Sequence, residues 1–500
     1  MRVLSKSKLL AFRQCRKRLW LEIHRPELRA DSAATQANFA IGHQVGDIAR
    51  RLYDPDGKGQ LIDVQEEGYD AALARSQELL GSSKPVFEAG FSAGGALAFA
   101  DVMLPARKGG KKVWRMIEVK SSASVKDYHR DDTAVQAFVA RNAGVPLLSV
   151  ALAYIDSSWV YPGGENYQGL LVEDDLTEEA FAREDEVKTW IAEAQSIAGK
   201  RTEPKLGTGR HCSDPYACGF LEHCESQEVA PDFPVSWIPR IQAKALKALI
   251  DEKGVTDMRE LPDELLNERQ RRVKAHTLSG SIYFDAKSAA ADLAACKLPA
   301  YFIDFETIKF AVPIWKGTRP FQQIPFQFSA HFLSRSGKLE HRAFIDLSGD
   351  DPSRMFAESL IAACGEKGPV FVYSASFETA RIKELGERFP RLKNSLLAIN
   401  ERVVDLRPIA EQHYYHPSQQ GSWSLKRVLP AVVPDLRYDQ LEGVQDGGMA
   451  MDAYLESISS DTAGARRSEI EQQLLEYCKL DTYAMVMLWQ IFAGRCDLTL

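Results

Sequence analysis

Apolar positions along the chain sort into two blocks, each mixing the two-residue period of strands with the 3.6-residue period of helices. A polar, proline-rich stretch separates them. In the first block, residues 1–30 and 34–56 carry helical patterns. Residues 86–105 (VFEAGFSAGGALAFADVMLP) and 113–121 (VWRMIEVKS) read as strands, with Gly94-Gly95 as a hairpin turn inside the first segment. Residues 127–143 return to helix, 146–154 (PLLSVALAY) form an apolar strand, and 176–197 read as an acidic-then-mixed helix. The second block opens at 299 with PAYFIDFET, an apolar strand ending in acids. A strand–turn–strand stretch follows, then alternating strands and helices, and a last helix around EQQLLEYCKLDTYAMVMLWQIFAG. Between the blocks, PDFPVSW breaks the pattern. IPRIQAKALKALIDEKGVTDMRELP then reads as a helix, a Gly-Val turn and a short second helix. That is either a helix-hairpin-helix-like element holding a DNA backbone through main-chain groups, or a plain helical linker. Sheets flanked by helices are the natural packing, so the expected class is mixed α/β.

Composition adds limits. The 500 residues suffice for about three domains. No run of about 18 apolar residues occurs, and the N-terminus lacks a signal peptide's apolar core, so a cytoplasmic protein is expected, without a membrane partner. No Walker A sequence points to an ATP-driven motor. The net charge of −7 argues against a general nucleic-acid coat protein but not against a nuclease, whose metal sites are themselves acidic. Locally, Lys6, Lys8, Arg13, Arg16, Lys17 and Arg18 crowd the first helix, either as a solvated face or as a nucleic-acid contact.

Glu118 and Lys120 lie two apart on the strand MIEVK and so share a face. Asp101 ends the neighbouring strand and can reach the same spot. Two carboxylates can hold Mg²⁺ or Mn²⁺ through oxygen ligands. Such an ion lowers the pKa of a water and stabilises phosphate charge, and a lysine can orient that water. His43 in GHQVGDIAR, on an upstream helix, can complete a metal site, and Gln136 follows in DDTAVQAF. This order of histidine, aspartate, E-x-K strand and glutamine helix resembles the RecB-like members of the PD-(D/E)xK nuclease superfamily. The resemblance implies metal binding by His43, Asp101 and Glu118, catalysis by Lys120, and a supporting or substrate-contacting role for Gln136. The chain departs from the pattern at Ala140, where many relatives have tyrosine; Tyr128 is a candidate substitute.

Cys212, Cys218 and Cys224 form C-x₅-C-x₅-C. Three close thiolates need a fourth ligand, and Cys15 in LLAFRQCRKRLW is the best candidate. Structural zinc is the rival, though zinc sites favour the tight C-x₂-C pairs that are missing here. One early and three late cysteines bracketing the block resemble the iron–sulfur nucleases of the RecB group. That resemblance implies a [4Fe–4S] cluster tying the first helix to the end of the domain, with Arg16, Lys17 and Arg18 set to hold DNA. Cys296, Cys364, Cys478 and Cys496 read as small apolar or indifferent residues.

In the second block, Asp304 and Glu306 share a face at the end of YFIDFET. Glu378 opens a helix after an apolar strand, and Tyr477 and Asp481 share a face of the last helix. D-x-E … E … Y-x₃-D resembles the DEDDy subgroup of DnaQ-like, RNase H-like 3′–5′ exonucleases. The resemblance implies that Asp304, Glu306, Glu378 and Asp481 hold metal and that Tyr477 positions the attacking water. The departure is Glu378, where the family usually has Asp. Asp405 is a secondary candidate. Lys426, in GSWSLKRVLP, is a candidate phosphate contact. His413, Tyr414, Tyr415 and His416 read as a core or surface cluster before a base-stacking one.

The expected organisation is a RecB-type, restriction-endonuclease-like core over residues 1–225, a small helical segment over 226–297, and an RNase H-like exonuclease over 298–500. It resembles a bacterial family joining the two modules. The expected function is metal-dependent cleavage of DNA, at single strands or ends, in repair or defence. Two alternatives stand: a nucleic-acid-binding protein with one inactive site, and an exonuclease acting on RNA.

Overall fold

The computed structural model describes residues 2–495; Cys496 lies outside them. The class is mixed α/β. The chain forms two compact units, one of residues 1–229 with 310–322, the other of residues 230–309 with 323–500.

In the first unit the basic N-terminal pattern is two helices, α1 (Lys6–Gln14) and α2 (Arg16–His24). They break at Cys15, whose backbone is extended and whose sulfur accepts the Arg18 N–H as the cap of α2. Helix α3 (Ala33–Tyr53) follows. Strands β1 (Val86–Ala93), β2 (Ala96–Lys108) and β3 (Lys111–Lys120) form an antiparallel meander. Its first turn is Gly94-Gly95, both at positive φ as a tight hairpin requires. Helix α4 (Asp127–Asn142) crosses over to β4 (Leu147–Ile155), which pairs parallel with β3, and β5 (Leu171–Asp175) closes the edge. Helix α5 (Glu184–Ala198) covers the latter part of the expected 176–197 helix; a separate turn, Thr177–Ala182, precedes it.

The pleat divides β3 between two cores. Trp114 and Met116 point into the one covered by α1, α2, α4 and α5, while Ile117 points to the opposite face. Glu118 and Lys120 continue the row of Trp114 and Met116, so the alternation itself delivers them toward α1 and α4. On the opposite face, Val45 and Ile48 of α3 pack with Ile155, Leu170, Ala311 and Val312.

In the second unit, helix α6 (Lys244–Asp251) is followed by Gly254 at positive φ and by one 3₁₀ turn, Met258–Glu260, where a second short helix is expected; α7 (Glu268–Ser279) comes later. Five strands follow: β6 (Ala300–Ile308), β7 (Ile324–Leu333), β8 (Leu339–Ile345), β9 (Val370–Val372) and β10 (Val403–Asp405). Their spatial order is β8-β7-β6-β9-β10; β7 is antiparallel to both neighbours, and β6, β9 and β10 are mutually parallel. Among the helices are α8 (Ser353–Cys364), α9 (Ser376–Arg388), α10 (Leu406–His413), α11 (Leu425–Val432), α12 (Gly447–Ile458) and α13 (Gly464–Phe492). On β6, Tyr301, Ile303 and Phe305 enter the core under α8, whereas Phe302 enters the core shared with α13. Asp304 and Glu306 carry on the Phe302 row, toward α13.

Candidate functional site

The structure draws Asp101, Glu118, Lys120 and Gln136 together. Strand pairing of β1 with β2 lapses at Glu88 and Asp101, where Glu88 takes φ 56°. Asp101 instead turns its carboxylate to the Val119 N–H, at 2.7 Å. Glu118, 1% exposed, receives the Lys120 ammonium at 2.6 Å, the Lys6 ammonium at 2.9 Å and the Gln136 amide at 2.5 Å. Asp132 on α4 accepts from the same three groups. Burial opposes both lysine charges, yet Asp132 and Glu118 raise both ammonium pKa values. Against its own burial, Lys120 and Lys6 hold the Asp132 carboxyl well below the usual range. Burial, then Glu118, pushes Asp101 up, and the same two causes push up Glu88. Asp101, half-buried, and Glu118, buried, offer oxygen ligands of the kind a dication takes, although Lys6, Lys120 and Gln136 already hold both oxygens of Glu118. His43 stands exposed on α3; among the described residues it has no hydrogen bond or ion pair to these acids. Ala140 is fully buried in the core. Tyr128 lies edge-on to Tyr216, ring centroids 5.8 Å apart, at the start of α4.

The four expected cysteines line one small cavity: Cys15 at the α1–α2 break with Cys212, Cys218 and Cys224. Gln14 fastens the cysteine loop to α1 by donating to the carbonyls of His211 and Tyr216. Burial pushes up the thiols of Cys15, Cys212 and Cys224. Among the described residues, no three of these sulfurs lie within 4.8 Å of one another. Lys17 and Arg18 are buried here, Lys17 on Glu203 and Gln227, Arg18 on Glu22 and Gln14. Their charges are thus turned inward, and Arg16 is the exposed one of the three.

In the second unit, Asp304, Glu306 and the Cys478 sulfur offer atoms within 4.8 Å of one another, and Glu378, Asp481 and Tyr477 stand near enough to Asp304 to interact with it electrostatically. Burial, then Asp481 and Glu306, raises Asp304 well above the carboxylate range. Burial, then Asp481, pushes Glu306 up to about 8. Burial also pushes Glu378 up to about 8, and Asp481 to about 6. Glu378 Oε2 is buried and, among the described residues, has no hydrogen-bond partner. The Lys426 ammonium faces the group, 5.4 Å from the Tyr477 ring centroid and 5.5 Å from that of Tyr438, donating to the Gln445 carbonyl at 2.6 Å. Buried, mutually repelling carboxylates with an orphaned oxygen fit a metal centre. Burial, then Asp481, raises the Tyr477 pKa, so its hydroxyl stays protonated. Asp405 is spent otherwise: it accepts the N–H groups of Ser374, Ala375 and Arg407, fixing the turn that launches Glu378. His413, Tyr414 and Tyr415 are core residues.

Lys6, Glu88 and Asp132 join the first site, and Tyr438, Asp446 and Cys478 the second, without having been assigned to either from the sequence. Two had a signal: Asp132 is four residues before Gln136, and Cys478 three before Asp481, each on a shared helical face. Lys6 had none beyond its charge. Tyr438 donates to Asp481 at 2.5 Å from a loop no periodicity marks.

Residues 301–424 match a family described as Domain of unknown function (DUF2779). The match takes in Asp304, Glu306, Glu378 and Asp405 and ends before Lys426, Tyr477 and Asp481. No curated protein matches the chain.

Proposed function

We propose that the protein is a metal-dependent nuclease that hydrolyses phosphodiester bonds of DNA at two sites. One is a RecB-type site in the first unit; the other is a DnaQ-like 3′–5′ exonuclease site in the second. The observation that carries the proposal is the carboxylate group of half-buried Asp304 with buried Glu306, Glu378 and Asp481 beside a protonated Tyr477, a costly arrangement that a structural role leaves unexplained. Strand order β8-β7-β6-β9-β10, with β7 reversed, supports the RNase H-like reading. The β3–α4–β4 crossover bearing Glu118, Lys120 and Gln136 supports the RecB-type one.

At each site Mg²⁺ or Mn²⁺, when bound, would supply an activated water and charge stabilisation at the phosphate. Asp101 and Glu118 would hold it in the first unit; Asp304, Glu306, Glu378 and Asp481 would hold it in the second. Tyr477, neutral and fixed by packing, offers a hydroxyl to orient the attacking water. Lys426 offers a positive charge to a phosphate oxygen. Lys120 is placed to offset charge at the first site, and Gln136 holds Glu118 and Asp132 in register. The cysteine cavity would carry a [4Fe–4S] cluster.

A second reading is favoured by one observation. Lys6, Lys120 and Gln136 already engage both oxygens of Glu118, which suits a first site that grips nucleic acid without cutting it. Cleavage of 5′- and 3′-labelled single-stranded DNA, with Mn²⁺ or with chelator, separates the readings. Asp304→Ala is expected to abolish stepwise 3′ trimming, and Glu118→Ala to remove the remaining cleavage. Cleavage unaffected by Glu118→Ala alone favours a gripping first site. Cleavage unaffected by either substitution overturns the proposal.

A further inference from the structure

Cys478 differs from the other isolated cysteines in its surroundings. Cys296 and Cys364 sit among apolar side chains. The Cys478 sulfur instead lies 3.8 Å from Asp304 Oδ2. That sulfur, one Asp304 oxygen and one Glu306 oxygen all fall within 4.8 Å of one another, and among the described residues no other three such donors do. On one tetrahedral ion, with bonds of about 2.1 Å to oxygen and about 2.3 Å to sulfur, neighbouring ligands stand about 3.6 Å apart. The thiol is therefore already near ligand spacing. A second feature is Glu378, whose charge acts on Asp304: its Oε2 is buried and, among the described residues, has no hydrogen-bond partner.

Helix geometry explains how the thiol arrives there. Cys478 is three residues before Asp481 on α13, and both face β6, where Asp304 and Glu306 stand. The thiol also contacts the Asp304 carbonyl at 3.7 Å and the Ser329 backbone N–H.

We propose that Cys478 is a ligand of the Asp304–Glu306 ion and tunes the second site toward thiophilic d-block dications, such as cobalt(II) or zinc, over magnesium. The inference rests on reading that site as metal-binding. Magnesium keeps to oxygen ligands, whereas thiolate favours the later first-row ions. Binding forms a metal–sulfur bond and releases the S–H proton to solvent.

The test titrates Co²⁺ into full-length protein, its cysteine cavity left as purified, and compares wild type with Cys478→Ser and Cys478→Ala. Difference spectra read the sulfur-to-cobalt charge-transfer band, and competition calorimetry reads Co²⁺ against Mg²⁺. Wild type is expected to show a band, near one equivalent, that both variants lack. Both are expected to bind Co²⁺ at least about 10-fold more weakly while Mg²⁺ affinity changes little. Identical bands and an unchanged Co²⁺/Mg²⁺ ratio in the variants overturn the role of Cys478. A different outcome reaches the reading beneath it: if Asp304→Asn binds both ions as wild type does, the site is not a metal centre at all.

Discussion

Glu306 is buried beside Asp481, with Asp446 also adding negative charge and Lys426 offsetting part of it. Its folded-state pKa, about 8, lies above the 4.5 of an ordinary glutamate, and Glu378 behaves alike. For such acids the folded state holds its protons longer than the unfolded chain does. Their contribution to stability is therefore complete below about pH 4.5 and is lost as pH rises toward 8. In chelator, the thermal midpoint of the second unit is expected to fall between pH 5 and pH 8, with Glu306→Gln flattening that fall. A saturating dication at pH 8 should restore the midpoint, by about 2.7 kcal/mol at a hundred times its Kd. An equal slope in wild type and Glu306→Gln would contradict this account. The residues at this scale were unevenly legible. Asp304 with Glu306, and Tyr477 with Asp481, announce themselves because their spacings match the periods of a strand and a helix. Tyr438 and Lys6 reach their acids from distant parts of the chain, and local spacing cannot register that.

Helix α1 links two features of the first unit. Lys6 begins it, its ammonium on Glu118 and Asp132, and Cys15 ends it at the cysteine cavity. The hydrophobic pattern runs through Cys15 without a break, so the sequence predicts one helical stretch; in the structure the extended backbone of Cys15 ends α1 and its sulfur caps α2. The same packing turns Lys17 and Arg18 inward, although composition alone marks them as surface charges. The strands β1–β4 were legible as apolar or alternating runs of strand length, and the hairpin because only glycine adopts both positive φ values easily. Protein purified without oxygen is expected to be brown and to carry about four irons per chain, with both properties lost in Cys212→Ser. A colourless protein holding one zinc would remove the cluster while leaving the four-cysteine cavity in place.

At the scale of the whole molecule, the division into units does not follow the chain's order. Residues 310–322 belong to the first unit, where Ala311 and Val312 complete the core beneath α3 and Tyr161 exchanges main-chain hydrogen bonds with Gly317 and Thr318. A fragment of residues 1–229 therefore lacks part of its own core. It is expected to melt several degrees lower than the first unit does in the full chain, since burying an apolar side chain is worth about 1.5–3 kcal/mol; equal midpoints would show that segment to be dispensable. The apolar pattern of this stretch resembles any loop between strands, which is why its membership was not readable. No helix among the described residues is long and apolar enough to cross a membrane. The central claim is that the two carboxylate groups cut nucleic acid, and the double substitution Glu118→Ala/Asp304→Ala tests it most directly. With Mn²⁺ and labelled single-stranded DNA, the folded double variant is expected to leave the strand intact while wild type degrades it. Degradation at the wild-type rate by that variant would contradict the account.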